Sequence, residues 1–168
     1  MPINLRAIEI EDLGCLRDWR NDLMDNFRQW RYLNMLNQHV WLEEITFGIK
    51  DIMLAVEDGS GQLVGVVGLT YVDWVRRSAE VSIYIGRGYW SRGYGSEALR
   101  AIINYGFGEL CLHRIYSEIF KYNTESLALF EKAGFVREGV SRDGHFGAGS
   151  WHSCIVLSML EDEWKSLS

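Results

Sequence analysis

Residues 79–110 constrain the fold most, because three sequence patterns follow one another there without a break. Residues 79–85 alternate apolar and polar side chains, which predicts a half-buried β-strand. Residues 86–95 are rich in glycine and charge, which ends that strand. From Ser96 onward the apolar spacing becomes helical and predicts a helix whose buried face contains Leu99, Ile102, Ile103 and Phe107.

The start of this helix is a candidate phosphate-binding site. The first N–H groups of a helix have no intrahelical partner, and Gly93 and Gly95 would let a ligand approach that backbone without a Cβ in the way. Arg87 and Arg92 add positive charge to the same segment. The pattern fits a phosphate or pyrophosphate, although a glycine turn that only connects a strand to a helix fits it equally well. Neither the P-loop motif nor the dinucleotide-binding glycine motif occurs in the chain.

Length and composition indicate one domain spanning residues 1–168. A net charge of −6 argues against nucleic-acid binding, which depends on basic surface, and fits a cationic or amine partner better. We expect no membrane association, because the sequence has neither a signal segment nor an apolar run of membrane-spanning length. Its three cysteines are scattered, which indicates reduced thiols in a cytoplasmic protein. The histidines also lack metal-ligand spacing, so no metal is expected.

The rest of the chain predicts strands and helices on both sides of this stretch. Before it, residues 4–9 predict a strand and residues 9–20 a helix. Residues 21–41 predict an irregular aromatic segment with one or two short helices, and residues 52–71 predict a β-hairpin. After it, residues 114–121 predict a strand and residues 124–133 a helix. Residues 135–141 and 151–160 predict two further strands, separated by a glycine-rich loop at residues 143–150. The resulting order, β-α-α-β-β-β-α-β-α-β-β, is typical of an α/β domain with a mixed sheet.

Two motifs lie about thirty residues apart in this order. Residues 90–95 read Trp-Ser-Arg-Gly-Tyr-Gly, and residues 123–135 read Asn-Thr-Glu-Ser-Leu-Ala-Leu-Phe-Glu-Lys-Ala-Gly-Phe. The first resembles the pyrophosphate loop of the GNAT superfamily of acetyl-CoA-dependent N-acetyltransferases, and the second resembles its segment beside the pantetheine arm. The resemblance implies a single-domain GNAT-like fold, with a mixed, mostly antiparallel sheet whose strands part around the cofactor between flanking helices. Residues 112–116 and 160–164 are most similar to the branch of ribosomal-protein N-terminal and spermidine acetyltransferases.

This resemblance implies transfer of the acetyl group of acetyl-CoA to a primary amine by direct attack. A protein amino terminus, a polyamine and an amino sugar stay open as acceptors, and a homodimer stays open too. Residues 21–41 and 143–150 are expected to form the acceptor walls. Phe130 stands where several members carry the tyrosine that protonates the leaving thiolate, and Trp90 stands where many have Gln or Arg. A non-catalytic acyl-CoA-binding or sensing domain is therefore the alternative.

The resemblance also assigns site residues. The residues expected to bind the cofactor are Ile83, Tyr84, Ile85, Arg87, Arg92, Gly93, Tyr94, Gly95, Ser96, Asn123 and Ser126. Glu118 is the first candidate for the general base and Glu80 the second, while each could equally be a solvated or salt-bridged strand residue. Ser126 is the candidate acid, or else a helix-start hydroxyl bonded to the backbone. A backbone N–H near Tyr84 or Ile85 is the expected oxyanion donor.

Overall fold

The described residues contain seven β-strands in one sheet: β1 (Ile3–Ala7), β2 (Ile52–Asp58), β3 (Leu63–Asp73), β4 (Ser78–Ile85), β5 (Arg114–Phe120), β6 (Val136–Gly147) and β7 (Ser150–Leu160). The computed structural model describes residues 2–29, 31–147 and 149–167. The strand order is β1-β2-β3-β4-β5-β7-β6. Neighbouring strands are antiparallel except β4 and β5, which run parallel. The predicted mixed, mostly antiparallel sheet is confirmed.

β4 and β5 separate along their length. The parallel ladder between them ends at the pair Glu80–Tyr116. Beyond that pair, β4 stays bonded to β3 as far as Ile85, and β5 stays bonded to β7 as far as Phe120. The sheet therefore opens between β4 and β5, as the expected parting of these strands requires.

In the described part of the chain, five α-helices flank the sheet: α1 (Leu13–Asp22), α2 (Met35–Phe47), α3 (Tyr94–Asn104), α4 (Thr124–Lys132) and α5 (Glu161–Leu167). Helices α1 and α2 pack in one apolar core, and α3 and α4 pack in a second. A short 3₁₀ turn, Ile10–Asp12, precedes α1, and a π-helical turn, Tyr105–Glu109, extends α3. The predicted helices are thus present, and α5 is one that the predicted order lacked.

Strand β4 is buried on both faces, which corrects the half-buried strand predicted from its alternation. Val81 belongs to the core of α3 and α4, whereas Tyr84 belongs to the core of α1 and α2. Glu80 lies on the polar side of the alternation and is only 5% exposed. The pattern within the strand could not reveal this, because α1 and α2, which cover its second face, lie far earlier in the sequence.

The expected loop at residues 143–150 is mostly strand, which is a second correction. β6 runs to Gly147, and His145 pairs with His152 of β7 after a bulge. Since β6 is an edge strand with mostly exposed side chains, its glycines and polar residues do not mark a loop. Residue 148 lies outside the described residues.

Two further features of the fold concern its cysteines and the length of its helices. Cys15, Cys111 and Cys154 are free thiols, as their scattered positions predicted. Among the helices that the structure describes, none has the length and apolar character needed to cross a membrane.

Candidate active site

Helix α3 begins at a turn that is fastened to the end of β4. Gly93 precedes the helix with φ of 85°, a left-handed conformation that favours glycine. The indole Nε1 of Trp90 donates a 2.7 Å hydrogen bond to the carbonyl of Ile85, the last residue of β4. Trp90 therefore fixes the loop to the strand. The first N–H groups of the helix, from Tyr94 onward, have no intrahelical partner.

A cavity of about 300 Å³ lies in front of this helix start, between the end of β4 and the start of α4. Most of the residues predicted to bind the cofactor line it, namely Ile83, Tyr84, Ile85, Gly93, Tyr94, Gly95, Asn123 and Ser126. The sequence did not single out Leu23, Asn26, Phe27 and Leu129, which also line it. We refer to this space as the cofactor-side cavity.

Three residues that were predicted to bind the cofactor lie elsewhere. Arg87 forms an ion pair of 2.6 Å with Asp22, at the end of α1. Arg92 is exposed, and its guanidinium lies 5.8 Å from the ring centre of Tyr89. Ser96 lines a separate groove between α3 and α4. The positive charges expected beside the helix start therefore do not line the cavity.

A second cavity of about 300 Å³ extends from the first along the opening between β4 and β5. Both cavities are lined by the same five residues, Asn26, Phe27, Ile83, Asn123 and Ser126. The charged side chains along the second cavity are Arg20, Arg28, Asp51, Glu80 and Glu118. Because the two spaces meet beyond the point where the strands separate, we refer to the second as the acceptor-side cavity.

Both predicted bases, Glu80 and Glu118, line the acceptor-side cavity and are joined by Arg28. The Nη2 of Arg28 lies 2.5 Å from the Oε1 of Glu80, and its Nη1 lies 3.4 Å from the Oε2 of Glu118. Glu80 also accepts the Glu118 backbone N–H at 3.4 Å. Burial by itself lowers the pKa of Arg28, but the hydrogen bond and charge of Glu80 outweigh it and raise that pKa overall. The cavity therefore contains a carboxylate pair bridged by a stable cation.

Ser126 lies where the two cavities meet. The Oδ1 of Asn123 accepts the Ser126 backbone N–H at 3.1 Å and caps α4. The Ser126 hydroxyl has no hydrogen-bond partner among the residues the structure describes, so the backbone-bonded hydroxyl considered above is not observed there. Phe130 is buried and lines the acceptor-side cavity with an apolar ring.

Of the two segments expected to form the acceptor walls, one lines the acceptor-side cavity. Residues 26–28 line the acceptor-side cavity, within the predicted segment 21–41, whose residue 30 is outside the described residues. None of the described residues of 143–150 lines it, and His145 packs on Phe120 at 4.9 Å between ring centres. Asp51, Thr70 and Tyr71 also line this cavity.

The parted strands, the glycine-led helix start and the carboxylates beyond the opening form the α/β arrangement that the resemblance to acetyltransferases implies. The acetyltransferase (GNAT) domain family matches residues 3–136, and the chain belongs to that family. As predicted, it is an acetyl-CoA-dependent N-acetyltransferase with acetyl-CoA as co-substrate. Among the described residues, no group of His, Cys, Asp and Glu could hold a metal ion.

Relatives of known name agree with this assignment. The chain is 32% identical over 170 residues to the uncharacterized N-acetyltransferase p20 of Bacillus licheniformis, which covers 96% of this chain and 94% of that protein. It is 35% identical over 105 residues to the putative ribosomal N-acetyltransferase YdaF of Bacillus subtilis, which covers 62% of this chain and 57% of that protein. A crystal structure of spermidine N-acetyltransferase from Vibrio cholerae in complex with CoA and spermine superposes with a TM-score of 0.92 at 25% identity, and covers 97% of this chain and 98% of that chain.

Proposed function

We propose that this enzyme acetylates a small primary amine by direct attack on acetyl-CoA. The observation that carries the proposal is the joining of the two cavities at Ile83, Asn123 and Ser126. That junction would bring a thioester from one side and an amine from the other into contact, and such positioning supplies much of the rate in transfer reactions. The spermidine-acetylating relative makes a small acceptor the better-supported choice over a protein amino terminus.

Acetyl-CoA would lie in the cofactor-side cavity, with its pyrophosphate at the N–H groups that start α3. The backbone of β4 supports a place for the pantetheine arm. Because Gly86 donates its N–H to Val64 of β3, the alternation of an antiparallel strand turns the N–H groups of Ile85 and Ile83 toward the opening. These N–H groups are the proposed donors to the pantetheine and to the oxyanion.

Glu118 is the proposed general base. Its contact with Arg28 is the longer one, and its side chain is 28% exposed toward the cavity, whereas that of Glu80 is 6% exposed and held by the short contact. The amine nitrogen bonds to the thioester carbon, the amine proton passes to Glu118 directly or through water, and the carbon–sulfur bond breaks. The hydroxyl of Ser126, a residue that lines both cavities, or a water molecule returns a proton to the thiolate.

A thiol-release assay across a panel of primary amines tests this proposal. We expect acetyl-CoA turnover with at least one small amine. Tight acetyl-CoA binding with no turnover on any amine would support the non-catalytic alternative instead.

The cofactor site has its own test in Gly95→Val. A Cβ at Gly95 would lie 3.7 Å from Leu129 and 3.8 Å from Ile85, so the larger valine would project among residues that line the cofactor-side cavity. We expect severe loss of acetyl-CoA affinity by calorimetry. Gly139→Val on β6 is the matched control, because a Cβ there meets nothing within 4 Å. Unchanged affinity in a folded Gly95→Val protein would show that the site is misplaced.

A further inference from the structure

Arg20, in the last turn of α1, holds a guanidinium on the acceptor-side cavity with no carboxylate beside it. Its Nε donates a 3.3 Å hydrogen bond to Gln29, and its guanidinium carbon lies 4.2 Å from the ring centre of Phe27 and 5.7 Å from that of Tyr84. Within the described residues, no carboxylate oxygen comes within ion-pair distance of it. Burial lowers the pKa of this guanidinium, which is the cost of holding a charge away from water.

Other arginines around the site are arranged differently. Arg17, one turn earlier on α1, pairs with Asp18 at 2.6 Å. Arg28 pairs with both glutamates of the cavity, and Arg87 pairs with Asp22. An arginine stacked on aromatic rings keeps its N–H edge available for a planar anion such as a carboxylate or phosphate. Arg20 therefore presents an unneutralised cation to the cavity.

The acceptor-side cavity is consequently polarised. Glu80 and Glu118 share the single positive charge of Arg28, which leaves a negative balance where the amine must react, and Asp51 adds to it. Arg20 lies beside Tyr84, and Tyr84 and Glu80 are four residues, about 13 Å of strand, apart along β4. A ligand with an ammonium group at one end and an anionic group at the other would match both regions.

We infer that the acceptor is a small primary amine that also carries an anionic group, a carboxylate or a phosphate, bound by Arg20. The inference rests on the proposed function, because it concerns the acceptor of the same reaction. It also sets this chain apart from an enzyme that selects polyamines, since a second ammonium group would face the Arg20 guanidinium, and juxtaposed like charges oppose binding.

Paired acceptors test the inference. Thiol release is measured as kcat/KM for a series of ω-amino carboxylates, for aminoalkyl phosphates, and for alkylamines and diamines of the same chain lengths. Wild type should prefer the anionic amine over its matched alkylamine by about 10- to 100-fold, the range expected for hydrogen bonds to a charged group. Preference for the carboxylate series or for the phosphate series identifies which anion is used.

Arg20→Gln should lower kcat/KM for the anionic amines much more than for the matched alkylamines, so that the preference is lost. Arg17→Gln is the matched control on the same helix and should keep the preference. Arg20→Lys preserves the charge but not the stacked planar edge, so it should retain part of the preference. This variant replaces Arg20→Gln in the test if Arg20→Gln does not fold. Equal or better turnover of diamines by wild type, unaffected by Arg20→Gln, would overturn the inference.

Failure of the proposed function has a different signature. If no amine is acetylated, calorimetry in the presence of CoA still measures whether wild type binds the amino carboxylate or aminoalkyl phosphate. Binding that is lost in Arg20→Gln and kept in Arg17→Gln supports the anion site. Absence of binding to both anionic series in wild type rejects it.

Discussion

Among the described residues, Arg6 and Arg28 each bridge two carboxylates, and these two groups of three side chains are built differently. Arg6 contacts Asp12 at 2.7 Å and Glu57 at 2.5 Å. Arg28 contacts Glu80 at 2.5 Å but Glu118 only at 3.4 Å. We call the first the structural trio and the second the cavity trio, because all three members of the second line the acceptor-side cavity.

The structural trio is closed. Asp12 also accepts the Glu9 backbone N–H at 2.9 Å and fixes the turn before α1, while Glu57 accepts a further hydrogen bond from Asn4. In the cavity trio, Glu118 has one long contact and a partly exposed side chain. In the structural trio every carboxylate oxygen accepts a hydrogen bond, and the trio holds secondary structure together. In the cavity trio the contact of Glu118 is long, which leaves that carboxylate available for chemistry.

Removal of one carboxylate from the cavity trio should lower kcat, whereas removal of one from the structural trio should not. The fall in kcat is the largest effect we expect. Glu118→Gln keeps the side-chain shape but removes the proposed base, so kcat should fall by about 10²-fold or more. Acetyl-CoA affinity should barely change, because Glu118 lies on the acceptor side. Glu57→Gln is the matched control and should leave kcat unchanged. Steady-state kinetics and calorimetry measure both quantities.

The pH–rate profile distinguishes the two glutamates of the cavity trio. Glu118→Gln should abolish the acidic limb of kcat/KM, and Glu80→Gln should retain it. If the acidic limb survives in Glu118→Gln and disappears in Glu80→Gln, the base is Glu80, and the short contact with Arg28 does not prevent proton transfer.

The sequence predicted features that local patterns determine. The strand, glycine turn and helix around Gly93 depend on neighbouring residues, and so does the Asn123 cap of α4. Arg28 was not predicted, because its partners Glu80 and Glu118 lie 52 and 90 residues away and its own segment has no regular pattern. The ion pair of Arg87 with Asp22 was not predicted for the same reason, since Asp22 is distant in the sequence. The strand at 143–147 was missed because an exposed edge strand has the composition of a loop.

Removal of the central arginine should distinguish the trios by stability, with a smaller effect than the loss of the base. Arg6→Met leaves Asp12, which is 8% exposed, without its charged partner, and this should cost about 1–3 kcal/mol of unfolding free energy. Arg28→Met should cost less, because Arg28 holds only Glu80 closely and contacts Glu118 at 3.4 Å, whereas Arg6 holds both of its carboxylates closely. Urea unfolding at constant m-value measures both. Equal losses would mean that the cavity trio is as structural as the other.

The smallest effect we expect is the pH dependence that Asp12 gives to stability. Burial alone would raise the pKa of Asp12, but hydrogen bonds from Arg6 and from the Glu9 N–H lower it below its ordinary value of 3.8. Because the folded pKa is the lower one, this stabilisation is present above about pH 5 and is lost as pH falls below 3.8 through the folded pKa. The stability difference between wild type and Asp12→Asn should therefore shrink on acidification, as urea unfolding at several pH values would measure. A difference for Asp12→Asn that stays constant with pH would mean that its carboxylate charge does not stabilise the structural trio.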